Sequence, residues 1–286
     1  MNDVIFEDKK IILKDEDYFN IAGSLDCGQA FRWNPDGDKM KGVVKCVPVT
    51  VYRQDKDVVI EGCGREFYED FLKNYFDLDF DYTGLIETYS YDERIKSGAE
   101  FAYGLRMLNQ EKFETLISFI ISANNNVKRI KGIIERICTA YGSEVDRGVF
   151  AFPTAEQLKD VKEADYSVLG AGYRAAYLEA TVKSINDGYD LDALCKLDYF
   201  GARKEIQKLK GVGPKVADCI LLYSFGFRSA FPVDVWIKRL MEQLYFDGKE
   251  TPKKVIEEFS KENFGENAGV LQLFLFNYAR KISLTN

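Results

Sequence analysis

The residues Leu209–Lys238, LKGVGPKVADCILLYSFGFRSAFPVDVWIK, decide how the chain is read. Ile206, Leu209, Val216, Ile220 and Tyr223 recur at helical spacing on either side of Gly211-Val212-Gly213, which predicts two short helices joined by a glycine hairpin. Two glycines let backbone N–H groups approach an anion closely, and Pro214 at the first helical position gives up an N–H that would lack a partner anyway. An ordinary corner between helices would need no more than this. Lys215 adds chemistry, because the partial positive charge of a helix start and desolvation both disfavour an ammonium there. A neutral amine so obtained is a Schiff-base nucleophile, whereas the plainer alternative is an exposed surface lysine. Asp234 precedes the apolar run through Trp236, Ile237 and Leu240, so it is expected to cap the next helix and hold its carboxylate rigidly.

The 286 residues, 30% of them charged, suffice for two moderate cores. No apolar run reaches transmembrane length, and MNDVIFEDKK has neither a basic n-region nor a small-residue cleavage site, so a cytoplasmic protein is expected, nucleoid-associated if the source is prokaryotic. The six cysteines include no C-x-x-C pair, which argues against a zinc site and a four-cysteine iron–sulfur loop. Neither metal nor cofactor is expected. Histidine is absent, which excludes imidazole catalysis. A net charge of −7 weighs against general nucleic-acid affinity. The charge is uneven, however. Arg203, Lys204, Lys208, Lys210 and Lys215 are expected to crowd the hairpin, and Lys128, Arg129, Lys131 and Arg136 form a second basic group. Asp77, Asp79, Asp81, Glu87, Asp92 and Glu93 are expected on the far side of the molecule.

The chain begins with short strands, predicted over Val4–Phe6, Ile11–Leu13, Gly42–Val47, Val49–Arg53 and Val58–Glu61, with Asn34-Pro35-Asp36-Gly37 and Gln54-Asp55-Lys56 as punctuation. A short helix is expected before Cys27, followed by the unusual run Asp26-Cys27-Gly28-Gln29-Ala30-Phe31-Arg32-Trp33. From about Phe67 the period becomes helical and stays so to the end. Phe113, Leu116, Ile117 and Ile120 mark a buried stripe that stops at Asn124-Asn125-Asn126, either a plain loop or a polar finger that probes a base. Leu169-Gly170-Ala171-Gly172-Tyr173-Arg174 frees the backbone to turn and is expected to present an aromatic and an arginine side by side, able to wedge into a base stack. Near the C-terminus Gln272 and Phe276 are one turn apart on an apolar helix, where a buried amide needs a hydrogen-bonding partner.

The hairpin, Lys215 and an aspartate nineteen positions on resemble the helix-hairpin-helix DNA glycosylase superfamily, and the runs taken in order look like its 8-oxoguanine DNA glycosylase family over nearly the whole chain. The resemblance implies an α+β protein: an antiparallel sheet domain over 1–98 and a mostly helical body over 99–286 containing the hairpin. It implies a bifunctional glycosylase and AP lyase, a monomer, acting on double-stranded DNA that contains 8-oxoguanine. Lys215 would attack the sugar C1′ and Asp234 would stabilise positive charge there. Gly28, Cys219, Gln272 and Phe276 would form the base pocket, with the Gly28 carbonyl accepting from N7–H of the oxidised base. Asn124, Arg129, Tyr173 and Arg174 would fill the vacated gap and read the opposite cytosine, and Gly211 and Gly213 would seat DNA phosphate. The animal enzymes carry a histidine where Trp236 stands and an acidic residue where Ala279 stands, so repacking is expected below the pocket. A monofunctional glycosylase for alkylated bases, working through Asp234 and water, is the nearest alternative. A non-catalytic hairpin module is the other, and it leaves Gln272, Phe276, Asn124 and Arg174 without a common purpose.

Overall fold

The computed structural model describes residues 3–282. β1 (Val4–Glu7), β2 (Lys10–Leu13), β3 (Asn34–Asp36), β4 (Lys39–Val44), β5 (Val47–Gln54) and β6 (Asp57–Glu61) form a six-stranded antiparallel sheet in the order β1-β2-β6-β5-β4-β3. Period-two alternation brings Ile11, Leu13, Val51, Val58 and Ile60 to one face, over Trp33, Tyr75 and Phe76. Gly42 is dictated by this packing, since a Cβ there would lie 2.6 Å from the Trp33 ring.

Two strand expectations are corrected. Asn34-Pro35-Asp36 forms the edge strand β3 instead of a turn, and its position at the sheet edge tolerates a proline that cannot donate to the ladder. The break expected at Pro48 lies at Lys45-Cys46, where Lys45 takes φ 54°, and Pro48 pairs with Val43 inside the ladder.

α1 (Ile21–Leu25) precedes Cys27, with Asn20 as its N-cap. A helical run over 65–75, with a π-turn at Tyr68–Leu72, closes the sheet's core. Then follow α2 (Tyr82–Thr88), α3 (Glu93–Phe101), α4 (Lys112–Ser122), α5 (Val127–Tyr141), α6 (Glu163–Val168), α7 (Ala175–Asn186), α8 (Tyr199–Ile206), α9 (Pro214–Ser224), α10 (Val235–Tyr245), α11 (Lys253–Phe264) and α12 (Ala268–Lys281). The helical region is not continuous, because β7 (Glu144–Asp146) and β8 (Val149–Phe150) make a small hairpin after α5. Among the described residues no helix is long and apolar enough to cross a membrane.

The helical residues divide between two cores. One gathers α4 to α9, the other α2 and α3 with α10 to α12. α9 lies between them, with Ile220 and Leu221 in the first core and Leu222 in the second. A boundary at residue 98 falls inside α3, whose Ile95 and Ala99 pack with α12 rather than with the sheet. The acidic segment is only partly a free surface, with Asp79, Asp81, Glu87 and Glu93 exposed. Asp77 and Asp92 are buried, the first bonded by Arg228 and Tyr82, the second by Arg94 and Tyr245, while Asp81 caps α2.

Polar side chains fasten the sheet to the helices. The Gln29 amide, 2% exposed, donates from Nε2 to the carbonyls of Ser24 and Arg106 at 2.8 Å each and accepts from the Leu108 N–H at 3.0 Å. Gln110 donates to the Gln29 carbonyl at 2.6 Å and its own N–H bonds the Tyr223 carbonyl of α9. Arg106, also buried, spends its guanidinium on the Tyr18 and Asp77 carbonyls and on Glu16. Gln29→Ala leaves buried backbone groups unpaired, each costing about 1–3 kcal/mol. The variant should therefore unfold at lower urea with an unchanged m-value, and a midpoint equal to the parent's would mean that water replaces the amide.

Candidate active site

Residue identities around the hairpin have separate physical causes. Gly211 has φ +82°, and a Cβ on it would lie 2.8 Å from the Tyr177 side chain, so both backbone and packing demand glycine. Gly213 is extended, with φ −83° and ψ 177°, and a Cβ there would meet nothing within 4 Å. The fold does not require a glycine at 213. Its missing side chain instead leaves the start of α9 open to an approaching anion. Pro214 begins the helix, and from Val216 to Leu222 every side chain of α9 is buried.

α9 therefore holds Lys215 and Cys219 one turn apart against a cavity of about 160 Å³. That is smaller than the roughly 300–1,000 Å³ of pockets for drug-sized ligands and suits a single ring system. The cavity brings together Gly28, Lys215, Cys219, Asp234, Gln272 and Phe276, which the sequence reading had separated by up to 248 positions. Gly28, at φ +96°, comes from the sheet side and leads into the buried Gln29. Asp234 is the N-cap of α10, and its Oδ1 accepts from the Ile237 N–H at 2.8 Å. Gln272 donates from Nε2 to the Pro232 carbonyl at 2.7 Å, which fixes the amide plane and leaves Oε1 as its acceptor.

Phe119, Tyr223, Pro232, Ile237 and Leu273 complete the wall. Phe119 was absent from the apolar stripe marked on α4, and its signal was a large aromatic beside that stripe. Its ring stacks on Tyr223 at 5.6 Å and lies 5.7 Å from Lys215 Nζ. Ala279 is buried in the core beneath, whereas Trp236 is 50% exposed with the Arg239 guanidinium 5.7 Å from its ring.

The electrostatics correct the expected neutral lysine. Burial pushes the Lys215 pKa down, but the neighbouring Cys219 and Asp234 side chains push it up by more, so it stands above the ordinary lysine value. Cys219 is pushed up to about 11 by burial, against the pull of Lys215. Near neutral pH the pair is thus an ammonium beside a thiol, with the Asp234 side chain lining the same cavity. Beside Cys219, buried Asp218 accepts from Arg203 Nε at 2.6 Å and from the Tyr199 hydroxyl at 2.8 Å. Arg203 also bonds Glu257, so it is an internal counter-ion rather than part of the hairpin's approach. Lys208 pairs with Glu205, and Lys131 with Asp26, while Lys128, Arg129, Lys204 and Lys210 stand exposed. Among the described residues no three metal-ligating side chains are grouped.

The proposed wedge lies outside the cavity. Asn124 is exposed at φ 50°, and Asn126 caps α5 through the Arg129 N–H. Tyr173 is 56% exposed, but Arg174 is 2% exposed, which corrects the expectation of two free side chains at the loop tip. Its guanidinium donates to the carbonyls of Ala123, Asn124 and Ala171, tying the asparagine loop to the glycine loop. Arg129 makes a weaker 3.4 Å bond to the Gly170 carbonyl and is exposed.

The family model described as the 8-oxoguanine DNA glycosylase N-terminal domain matches residues 10–116, and that of the HhH-GPD superfamily base excision DNA repair protein matches residues 117–263. A probable N-glycosylase/DNA lyase of Methanothermobacter thermautotrophicus is 36% identical over 232 residues, 73% of this chain and 74% of its own length. The N-glycosylase/DNA lyase of Saccharomyces cerevisiae is 34% identical over 259 residues, 79% of this chain and 68% of its own. The structure of the Clostridium acetobutylicum 8-oxoguanine glycosylase/lyase in complex with double-stranded DNA containing cytosine opposite 8-oxoG matches with a TM-score of 0.94 at 36% identity, covering 99% of each chain.

The protonation states are testable on the free protein. Alkylation of Cys219 by iodoacetamide, followed by peptide mass spectrometry, should be slow at neutral pH and climb as pH approaches about 11. Lys215→Gln should slow it further, because the ammonium favours the thiolate. A neutral-pH rate matching that of exposed Cys46 would mean that the thiolate is already present.

Proposed function

The chain belongs to the 8-oxoguanine DNA glycosylase family of the helix-hairpin-helix superfamily, and from that membership we propose how its residues perform the reaction. It is a DNA N-glycosylase with AP lyase activity that excises 8-oxoguanine from duplex DNA in base excision repair. The carrying observation is that Gly28, Lys215, Cys219, Asp234, Gln272 and Phe276 line one cavity sized for a base. The lesion must leave the stack to reach it, because its glycosidic carbon is inaccessible within the duplex.

Inside, the Gly28 carbonyl accepts from N7–H of 8-oxoguanine. Guanine has a lone pair at that position, so it both loses the bond and repels the carbonyl. A site built around such a bond can reject the analogue lacking it by roughly 10⁴–10⁵-fold. Gln272 Oε1, aimed by the Pro232 bond, accepts from the Watson–Crick edge, and Phe276 stacks on one face with the Cys219 thiol on the other. With that thiol neutral, discrimination rests on Gly28 rather than on a thiolate–ammonium dipole.

The C1′–N9 bond breaks first, the base departing with the electron pair and taking a proton from the Lys215 ammonium. The neutral Nζ so formed then attacks C1′ with its freed lone pair. Asp234, charged and held by its cap bond, stabilises the oxocarbenium-like sugar. Ring opening gives a Schiff base between Nζ and C1′, after which loss of a C2′ proton expels the 3′ phosphate. Gly211 and Gly213 seat the phosphate backbone, while Asn124 and Tyr173 fill the gap. Arg129 leads in reading the opposite cytosine, and Arg174 joins only by exchanging its carbonyl bonds. A monomer of the cytoplasm, nucleoid-associated if the source is prokaryotic, completes the reading.

Lys215→Gln should bind lesion DNA yet give neither base release nor a borohydride-trapped adduct on a duplex with one 8-oxoguanine. Base release without an adduct from the parent protein would favour water activated by Asp234. Arg129→Ala should slow single-turnover excision opposite cytosine more than opposite adenine, a guanidinium-to-base contact being worth roughly 1–3 kcal/mol. Arg174→Ala should slow both and lower the melting temperature, because it unties the two loops. An unchanged cytosine-to-adenine ratio in Arg129→Ala would reduce that residue to a phosphate contact.

A further inference from the structure

Tyr173, Tyr177 and Thr181 are spaced four residues apart along α7 and the 3₁₀ turn that precedes it, so they form one stripe down a single helical face. Each end of the stripe is attached to a different DNA-handling element. At its start the Tyr173 hydroxyl donates to the Ala123 carbonyl of the asparagine loop at 3.1 Å. At its end the buried Thr181 hydroxyl donates to the Lys210 carbonyl of the hairpin at 2.9 Å. Tyr177 joins the two. Its ring meets Tyr173 edge-on, with centroids 6.1 Å apart at 82°, and its Cβ, Cγ and Cδ2 occupy the space that any Cβ on Gly211 would take.

We propose that Tyr177 is a positioning residue that sets the distance between the gap-filling wedge and the phosphate-binding hairpin, so that eviction of the base and seating of the backbone occur in one register. The inference rests on the glycosylase reading above. From 173 to 181 the helical rise amounts to about 12 Å, or some three to four base steps at roughly 3.4 Å each. A duplex gripped at both places is therefore held at a fixed offset between the gap and the lesion strand's phosphates. A ring serves this purpose because it is rigid once its two side-chain torsions are set. Gly211 lets the hairpin close against that ring, so the glycine and the tyrosine are two halves of one contact.

The test separates register from grip and from folding. Parent, Tyr177→Ala and Tyr177→Phe would be assayed for melting temperature, for binding to a duplex with a tetrahydrofuran abasic analogue, which has no base to evict, and for single-turnover excision of 8-oxoguanine opposite cytosine. Fluorescence of 2-aminopurine next to the lesion would report eviction. Tyr177→Ala should keep abasic-duplex binding but lose the fluorescence rise and on the order of 10²-fold in excision, as misplacement by about 1 Å can cause. Tyr177→Phe should match the parent in all four. If Tyr177→Phe were as impaired as Tyr177→Ala, the hydroxyl would be a DNA contact and the positioning role overturned. Equal loss of abasic-duplex binding and of excision in Tyr177→Ala would likewise overturn it, leaving only support of the hairpin. Were Tyr177→Ala to melt early, Tyr177→Leu, which restores apolar bulk without a flat ring, would be read by the same criteria. Failure of the parent to excise 8-oxoguanine would instead refute the glycosylase reading.

Discussion

The base cavity depends on how the Gln29 amide is buried. Three backbone groups bond to that side chain, and Gln110 binds the Gln29 backbone carbonyl, so the segment beginning at Gly28 is held to the passage over 104–110. That passage in turn bonds α9 through the Tyr223 carbonyl. A sheet-derived acceptor and a helix-derived amine are thus fixed across a space of about 160 Å³. Buried polar groups of this kind tolerate little displacement, because each lost partner leaves a desolvated N–H or C=O behind. The cavity wall is rigid for that reason.

Several carboxylates are buried with their counter-ions inside the protein. The net charge of −7 weighs against DNA affinity, yet Asp77, Asp92 and Asp218 are buried against Arg228, Arg94 and Arg203. Their pairs bind the helical cores and contribute little to the outer field. Lys128, Arg129, Lys204 and Lys210 remain exposed. Such a surface favours specific seating over general affinity, since fewer counterions are released on contact.

The Lys215 amine is held as an ammonium in the free protein. The neighbouring Cys219 and Asp234 side chains oppose the desolvation that would neutralise it. A charged amine is chemically silent in the free protein, and the reaction itself must create the acceptor for its proton.

Much of this was legible in the sequence because it is local. The glycine hairpin, Pro214 at a helix start, Asp234 ahead of an apolar run and the alternation of the strands are set by neighbours within one turn or one pleat. Gly28, Lys215, Cys219, Asp234, Gln272 and Phe276, which line the cavity, were named through family resemblance in motif order, whereas Phe119 was not. Tertiary structure decided the rest, because the deciding neighbours are distant in the chain. Pro35 could be a strand residue only because β3 came to lie at the sheet's edge, and α3 joined α12 through an apolar face whose partner no local pattern names. Arg174 followed a loop signal into burial because carbonyls some fifty positions away, at Ala123 and Asn124, needed donors. The charge on Lys215 reversed expectation for a similar reason: burial acts against an ammonium, but Cys219 one turn on and Asp234, brought close by folding, act for it. Periodicity reports what a residue's own element wants, whereas protonation, burial of a charge and closure of a cavity depend on fields and contacts that exist only once the elements have packed.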